Sequence, residues 1–194
     1  MVKKTALAEL PGPSSQIFRV IKINNGDSLF AARISTGEDE VLLVTAAGQA
    51  IRFNEDDVRP MGLVAAGVAG IKLGAKDVIV GMDIIDPKAD VLLVANDGFA
   101  KRVDMGDFPT QGRNGKGVIA WKLAGKRKLA GALVSKANAR CILVSAKGKA
   151  RGINVSDAPR RKRATNAGNT YAPYSADHWD RVVPRLPMLR LKRK

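Results

Sequence analysis

The chain alternates short runs of branched aliphatic residues with breaks marked by glycine, aspartate and proline, intervals too brief for helices and suited to strands joined by tight turns. Val91 to Ala95, then Asn96-Asp97-Gly98, then Phe99 to Val103 predicts a β-hairpin. Thr45-Ala46-Ala47-Gly48 and Ser145-Ala146-Lys147-Gly148 are expected to turn in the same way on a glycine of positive φ. The runs fall on a ruler. Val41-Leu42-Leu43-Val44, Val91-Leu92-Leu93-Val94 and Cys141-Ile142-Leu143-Val144 are 50 residues apart, as are Gly48, Gly98 and Gly148. The same step relates Ile21-Lys22-Ile23, Ile71-Lys72-Leu73 and Trp121-Lys122-Leu123, and also Leu29, Ile79 and Leu129. Pro11, Pro60, Pro109 and Pro159 punctuate the units, one residue out of step in places. A period of this length with roughly four strands per unit predicts an all-β, propeller-like array of tandem four-stranded blades. Residues 1–158 are read as about three blades, partial at both ends, forming an incomplete disc. One blade cannot cover both faces of its sheet, so the Leu-Leu-Val strands are expected at the blade-to-blade core.

Composition narrows the class. With 194 residues and 45% of them apolar, the chain can bury a real core. Its single cysteine, Cys141, stands where other units have valine and is expected to be a small core residue; with the single His178, it leaves neither a disulfide nor a His-rich metal site. The absence of a long apolar stretch predicts a soluble, cytoplasmic chain with no membrane contact.

Charge points to a partner. The formal net charge is +15, distributed as +3 over residues 1–33, −5 over 34–90, +9 over 91–158 and +8 over 159–194. A polyanion is the natural ligand, with contacts weighted to the second half of the chain. Phe108-Pro109-Thr110 leads into Gln111-Gly112-Arg113-Asn114-Gly115-Lys116-Gly117, where Arg113 and Lys116 supply charge and Gln111 a neutral donor. Gly112, Gly115 and Gly117 are expected to let backbone N–H groups approach phosphate. No aromatic interrupts this loop, so duplex backbone is favoured over unpaired bases. Lys122 and the run Lys126-Arg127-Lys128 follow it, and Lys101-Arg102 lies on the adjacent hairpin, all expected on a shared basic rim. Lys72, Lys76, Arg52 and Arg59 are weaker equivalents beside Glu55, Asp56 and Asp57. A P-loop reading fails because Gly117 follows Lys116 where Ser or Thr is needed.

The loop resembles the box of the C-terminal domain of DNA gyrase A, whose pattern is Gln-Arg-Arg-Gly-Gly-Lys-Gly; five of the seven positions agree, with Gly112 and Asn114 as departures. Val58-Arg59-Pro60-Met61-Gly62-Leu63 looks like the family's ordinary blade loop, with Leu63 in place of the usual arginine. The hairpins are also similar, so the resemblance covers about residues 1–158. It implies a β-pinwheel, a propeller relative whose blades exchange strands, with duplex DNA wrapped around its rim in support of ATP-dependent negative supercoiling. It also implies the gyrase A cleavage domain and gyrase B as partners, location at the bacterial nucleoid, and ATP and Mg²⁺ used elsewhere in the holoenzyme. The related C-terminal domain of topoisomerase IV and a basic propeller-type scaffold for protein interactions are the alternatives.

Neither catalysis nor a metal is expected within the chain. Type IIA cleavage uses a tyrosine that follows an arginine, whereas Tyr171 and Tyr174 follow Thr170 and Pro173. The acidic triplets Glu38-Asp39-Glu40 and Glu55-Asp56-Asp57 read as solvated turns. Residues 159–194 show no strand periodicity. From Arg160-Arg161-Lys162-Arg163 to the basic end they read as an irregular, flexible arm, in which His178 and Trp179 are without evident partners.

Overall fold

Each aliphatic run pairs with the residues just after it. In the computed structural model, which describes residues 1–12 and 16–184, β1 (Glu40–Thr45) and β2 (Gln49–Asn54) form one antiparallel hairpin. β4 (Asp90–Ala95) with β5 (Phe99–Asp104), and β8 (Arg140–Ser145) with β9 (Ala150–Asn154), repeat it. Gly48, Gly98 and Gly148 close the three turns at φ of 85°, 90° and 78°, where a side chain would be strained.

A strand from later in each unit lies antiparallel on the other side of the first strand. β3 (Ile79–Ile84) pairs with β1, β7 (Leu129–Ser135) with β4, and β11 (Trp179–Pro184) with β8. The fourth strand is exchanged between units. β6 (Val118–Ile119) joins the outer edge of β2, and β10 (Gly168–Asn169) that of β5. The sheets therefore run β3-β1-β2-β6, β10-β5-β4-β7 and β11-β8-β9, the last being three-stranded among the described residues. The all-β, open array expected from the repeat is present. A blade, however, draws its strands from two successive units.

Alternation within each central strand feeds two cores. Leu42 and Val44 of the first blade face Val91 and Leu93 of the second. Leu92 and Val94 of the second face Cys141 and Leu143 of the third. Leu92, Leu93 and Leu143 are fully buried, and each contributes about 1.5–3 kcal/mol as an upper figure. Burial pushes the Cys141 thiol up to about 12, as befits a packing residue.

Two expectations are corrected. Residues 159–184 are not an irregular arm: they carry β10, which completes the second blade, and β11, which adds a third strand to the last sheet. Tyr171 occupies the place of Trp121, and Trp179 is 1% exposed with its indole Nε1 donating to the Tyr171 carbonyl. Trp179 stands where the earlier units have Leu129 and Ile79, and Tyr171 where they have Trp121 and Ile71, which hides the period from a search for Val and Leu. Residues 185–194, the rest of the expected arm, lie outside the described residues.

The acidic triplets are not simply solvated. Glu55 is 3% exposed and gathers the Gly37 and Asp39 N–H groups and the Ser35 hydroxyl, with Lys4 at 3.2 Å. Burial alone would raise its carboxyl, but these donors hold it below the usual range. Glu40 binds the Arg52 guanidinium, which holds its carboxyl low against the effect of burial. Among the described residues no group of three His, Cys, Asp or Glu side chains could hold a metal ion, and no helix is long and apolar enough to cross a membrane.

Candidate nucleic-acid interface

The exchanged strand makes the site. The segment 110–118 runs across the outer edge of β2 as a strap: Thr110 bridges Arg52, the Gln111 N–H donates to the Arg52 carbonyl at 2.8 Å, and Val118 pairs with Ala50. Phe108, 1% exposed, anchors its entry. Within the strap Asn114 adopts φ 66° and donates its N–H to the Gly70 carbonyl at 2.7 Å. Asparagine tolerates this left-handed backbone better than most residues.

Gly117 has a steric reason to be glycine. At φ 71°, a Cβ there would stand 2.1 Å from the Ala50 carbonyl oxygen, so close strand exchange requires it. Gly112 faces open space, and Gly115 uses its carbonyl to accept from the Lys72 N–H at 2.8 Å. Open backbone for an approaching phosphate is thus confined to the tip around Gly112.

The expected basic residues divide into three groups. Lys116, Lys122, Lys126 and Lys128 are exposed and take part in no ion pair among the described residues. Arg113 is half-buried: its Nε donates to the Asp57 carbonyl at 2.8 Å and its Nη1 to that of Ala69 at 3.1 Å. It fastens the strap to the first blade. Arg127 pairs with Asp97 at 2.6 Å and lies 3.9 Å over the Phe99 ring, tying the turn of residues 124–128 to the β4–β5 hairpin tip.

Lys101 and Arg102 are not rim residues. Lys101, on the inward side of β5 where the first blade has Ile51, is fully buried. Its ammonium donates to the carbonyls of Lys162, Arg163 and Thr165 and lies 5.2 Å over the Trp121 ring. Burial, and secondarily Arg163, pulls it down to about 8. Arg102 pairs with Asp90 at 2.7 Å and donates to the Ala158 carbonyl. Both residues stabilise the hairpin base. Arg52, among the weaker equivalents, is likewise committed to Glu40 and the Phe108 carbonyl.

A second strap, not expected from the sequence, follows one blade on. Arg160 bridges Arg102 as Thr110 bridges Arg52, and the Arg161 N–H donates to the Arg102 carbonyl at 2.8 Å. Residues 160–168 thus stand on the second blade as 110–118 stand on the first. Arg160 is held by Asp90 and Asp104, and Arg163 donates to the Ile119 carbonyl. Arg161 and Lys162 are exposed, although Lys162 also reaches Asp107 at 3.1 Å. The signal was present in Pro109 and Pro159, 50 residues apart. A third such segment, 60–68, crosses Val2 and Lys4 and carries no basic side chain. Cationic character therefore grows along the array from strap to strap.

A family described as DNA gyrase C-terminal domain, beta-propeller, matches residues 39–86 and 89–136. The DNA gyrase A protein of Salmonella typhimurium is 47% identical over 83 residues, 43% of this chain and 10% of the relative. That of Escherichia coli K12 is 42% identical over 81 residues, 42% of this chain and 9% of the relative. The matched region spans about a tenth of the length of these curated relatives. Among solved structures, the C-terminal domain of DNA topoisomerase IV superposes with a TM-score of 0.86 at 25% identity, covering 94% of this chain and 58% of that one. A DNA gyrase A C-terminal domain gives 0.78 at 24% identity, over 86% of this chain and 57% of that one, a likeness of fold.

Proposed function

Because the chain belongs, through its two matched repeats, to the family of DNA gyrase C-terminal domains, we propose that it binds double-helical DNA through its phosphates and curves the duplex along its basic straps. The observation that carries this reading is the set of exposed cations Lys116, Lys122, Lys126 and Lys128, without an ion pair among the described residues, with Arg161 on the strap one blade further along. Exposed lysines on a strongly positive chain gain affinity by releasing counterions from DNA, and they read charge spacing more than bases. Bending a short duplex costs about 1–6 kcal/mol, which several such contacts offset.

In a longer polypeptide this segment would hold DNA for a type IIA topoisomerase. Strand cleavage would belong to a gyrase A cleavage domain, and ATP and Mg²⁺ chemistry to other parts of an assembly that includes gyrase B. Negative supercoiling in the bacterial cytoplasm is the role this reading assigns, with the identity to DNA gyrase A in its favour. The structural likeness to topoisomerase IV favours a second reading, in which the same surface grips DNA without a strong directed wrap.

Ligating nicked plasmid in the presence of the chain separates the two. The gyrase-like reading expects a linking difference of one sign that grows with protein concentration. Binding with unchanged linking number supports the topoisomerase IV reading. Absence of duplex binding removes both and leaves a protein scaffold.

A further inference from the structure

The three straps are pinned from beneath in two different ways. Lys3 lies under 60–68, Ile51 under 110–118 and Lys101 under 160–168, each one residue before the position that bridges the strap's start, Lys4, Arg52 and Arg102 respectively. Lys3 donates its ammonium to the Leu63 carbonyl at 2.7 Å and to that of Val20 at 2.6 Å. Lys101 donates to the carbonyl of Arg163, the counterpart of Leu63, and to those of Lys162 and Thr165, 3.1 Å from each. Isoleucine has no proton to give.

Above Ile51 the tip of the strap is turned over. Asn114 takes φ 66° and donates its N–H to the Gly70 carbonyl, which stands 50 residues after the Val20 carbonyl held by Lys3. Val64 and Ala164, at the same position of the other two tips, do not have positive φ. Turns that differ in this way differ by a near half-rotation of their central peptide plane. Over a lysine that peptide aims its carbonyl inward and its N–H outward. Over Ile51 it aims its N–H inward.

Packing alone does not ask for a lysine at 101, since an isoleucine fills the equivalent place in the first blade, and burying an ammonium is costly unless its protons find acceptors. Three strap carbonyls supply the three acceptors that it needs. The consequence lies on the outer surface. Ala164 is exposed, and its N–H finds no acceptor among the described residues. It shares the tip with Arg161, which is exposed and whose own N–H is fixed to the Arg102 carbonyl at 2.8 Å. Outward main-chain N–H groups and arginine side chains are both phosphate donors.

We infer, on the footing that the chain binds duplex DNA, that Lys101 is a positioning residue: by holding the Arg163 carbonyl inward it presents the Ala164 N–H and the Arg161 guanidinium together to the phosphates. Lys101 itself is fully buried and touches none of them. The strap over Ile51 has the reverse polarity at its tip, so successive straps are not equal contacts.

Amide-resolved hydrogen exchange of the native chain, free and with a short duplex, is the first test. The Ala164 amide should exchange freely without DNA and slow by more than about tenfold with it, while the Asn114 amide, bonded to Gly70, stays protected in both. Affinity supplies the second. Lys101→Met should weaken duplex binding about three- to tenfold, and Arg161→Gln should then cost less than about half as much in log affinity as in the native chain, whereas Lys116→Gln should cost the same in both. The charge removed by Lys101→Met is common to both pairs, so only positioning separates them. An Ala164 amide already protected in the free chain, or one that a bound duplex leaves unchanged, would overturn the proposal, and the exchange test needs no variant to fold. Equal costs of Arg161→Gln in the two chains would overturn it as well. Failure of the native chain to bind the duplex at all would instead remove the DNA reading itself, and this contact with it.

Discussion

The Lys101 ammonium donates to the carbonyl oxygens of Lys162 and Thr165, 3.1 Å from each, so a cation on the hairpin of one unit fastens the strap of the next. The residue looks like part of a basic surface in the sequence and is a buried clamp in the fold. Its ionisation has a definite sign. The folded value near 8 lies below the ordinary 10.5, so between these limits the unfolded chain binds the extra proton and stability rises with pH. Below about pH 8 the group is charged in both states and adds no pH dependence. Urea unfolding of the protein and of Lys101→Met at pH 7.5 and 10 should show their stability difference moving toward the native protein at the higher pH. A constant difference would contradict the burial argument.

Gly117→Ala forces a Cβ to 2.1 Å from the Ala50 carbonyl at a left-handed φ, whereas Gly112→Ala adds a methyl to open space. The first should lose more than about 2 kcal/mol and the second change stability by less than about 0.5 kcal/mol. Thermal melts of the two variants compare a structural glycine with a surface one.

Trp179→Ala should destabilise the chain by about 3–5 kcal/mol, because the indole is buried between the second and third blades and bonded to Tyr171. A neutral effect in denaturant unfolding would return residues 159–184 to the status of an arm.

Cys141 should resist alkylation at pH 8 in the native protein and react after unfolding, since its thiol is buried and pushed up to about 12. Rapid native labelling, followed by mass, would mean that the third blade opens readily.

Much of this architecture was legible because strand pairing imposes its period on the chain: Val41, Val91 and Cys141 keep register, and so do the glycines that turn each hairpin. Strand exchange was not derivable from spacing, since β6 is only two residues long and pairs with a strand almost 70 positions earlier. The same limit applies to the site. Sequence identifies Lys116 and Lys101 as equally cationic, but only the inward pleat of β5 and the carbonyls of the strap turn Lys101 into a buried clamp. Residues 160–168 escaped because Tyr171 and Trp179 stand where aliphatic residues and a different aromatic mark the earlier units.

The central claim is that exposed cations on the straps and adjoining turns hold duplex DNA by its phosphates, and the salt dependence of affinity for a short duplex tests it most directly. With Lys116, Lys122, Lys126, Lys128 and Arg161 each neutralising about one phosphate, log affinity should fall against log salt with a slope of about −4 to −5, and Lys116→Gln or Lys122→Gln should each reduce that slope by about one. A slope near zero, or one untouched by either substitution, would contradict it.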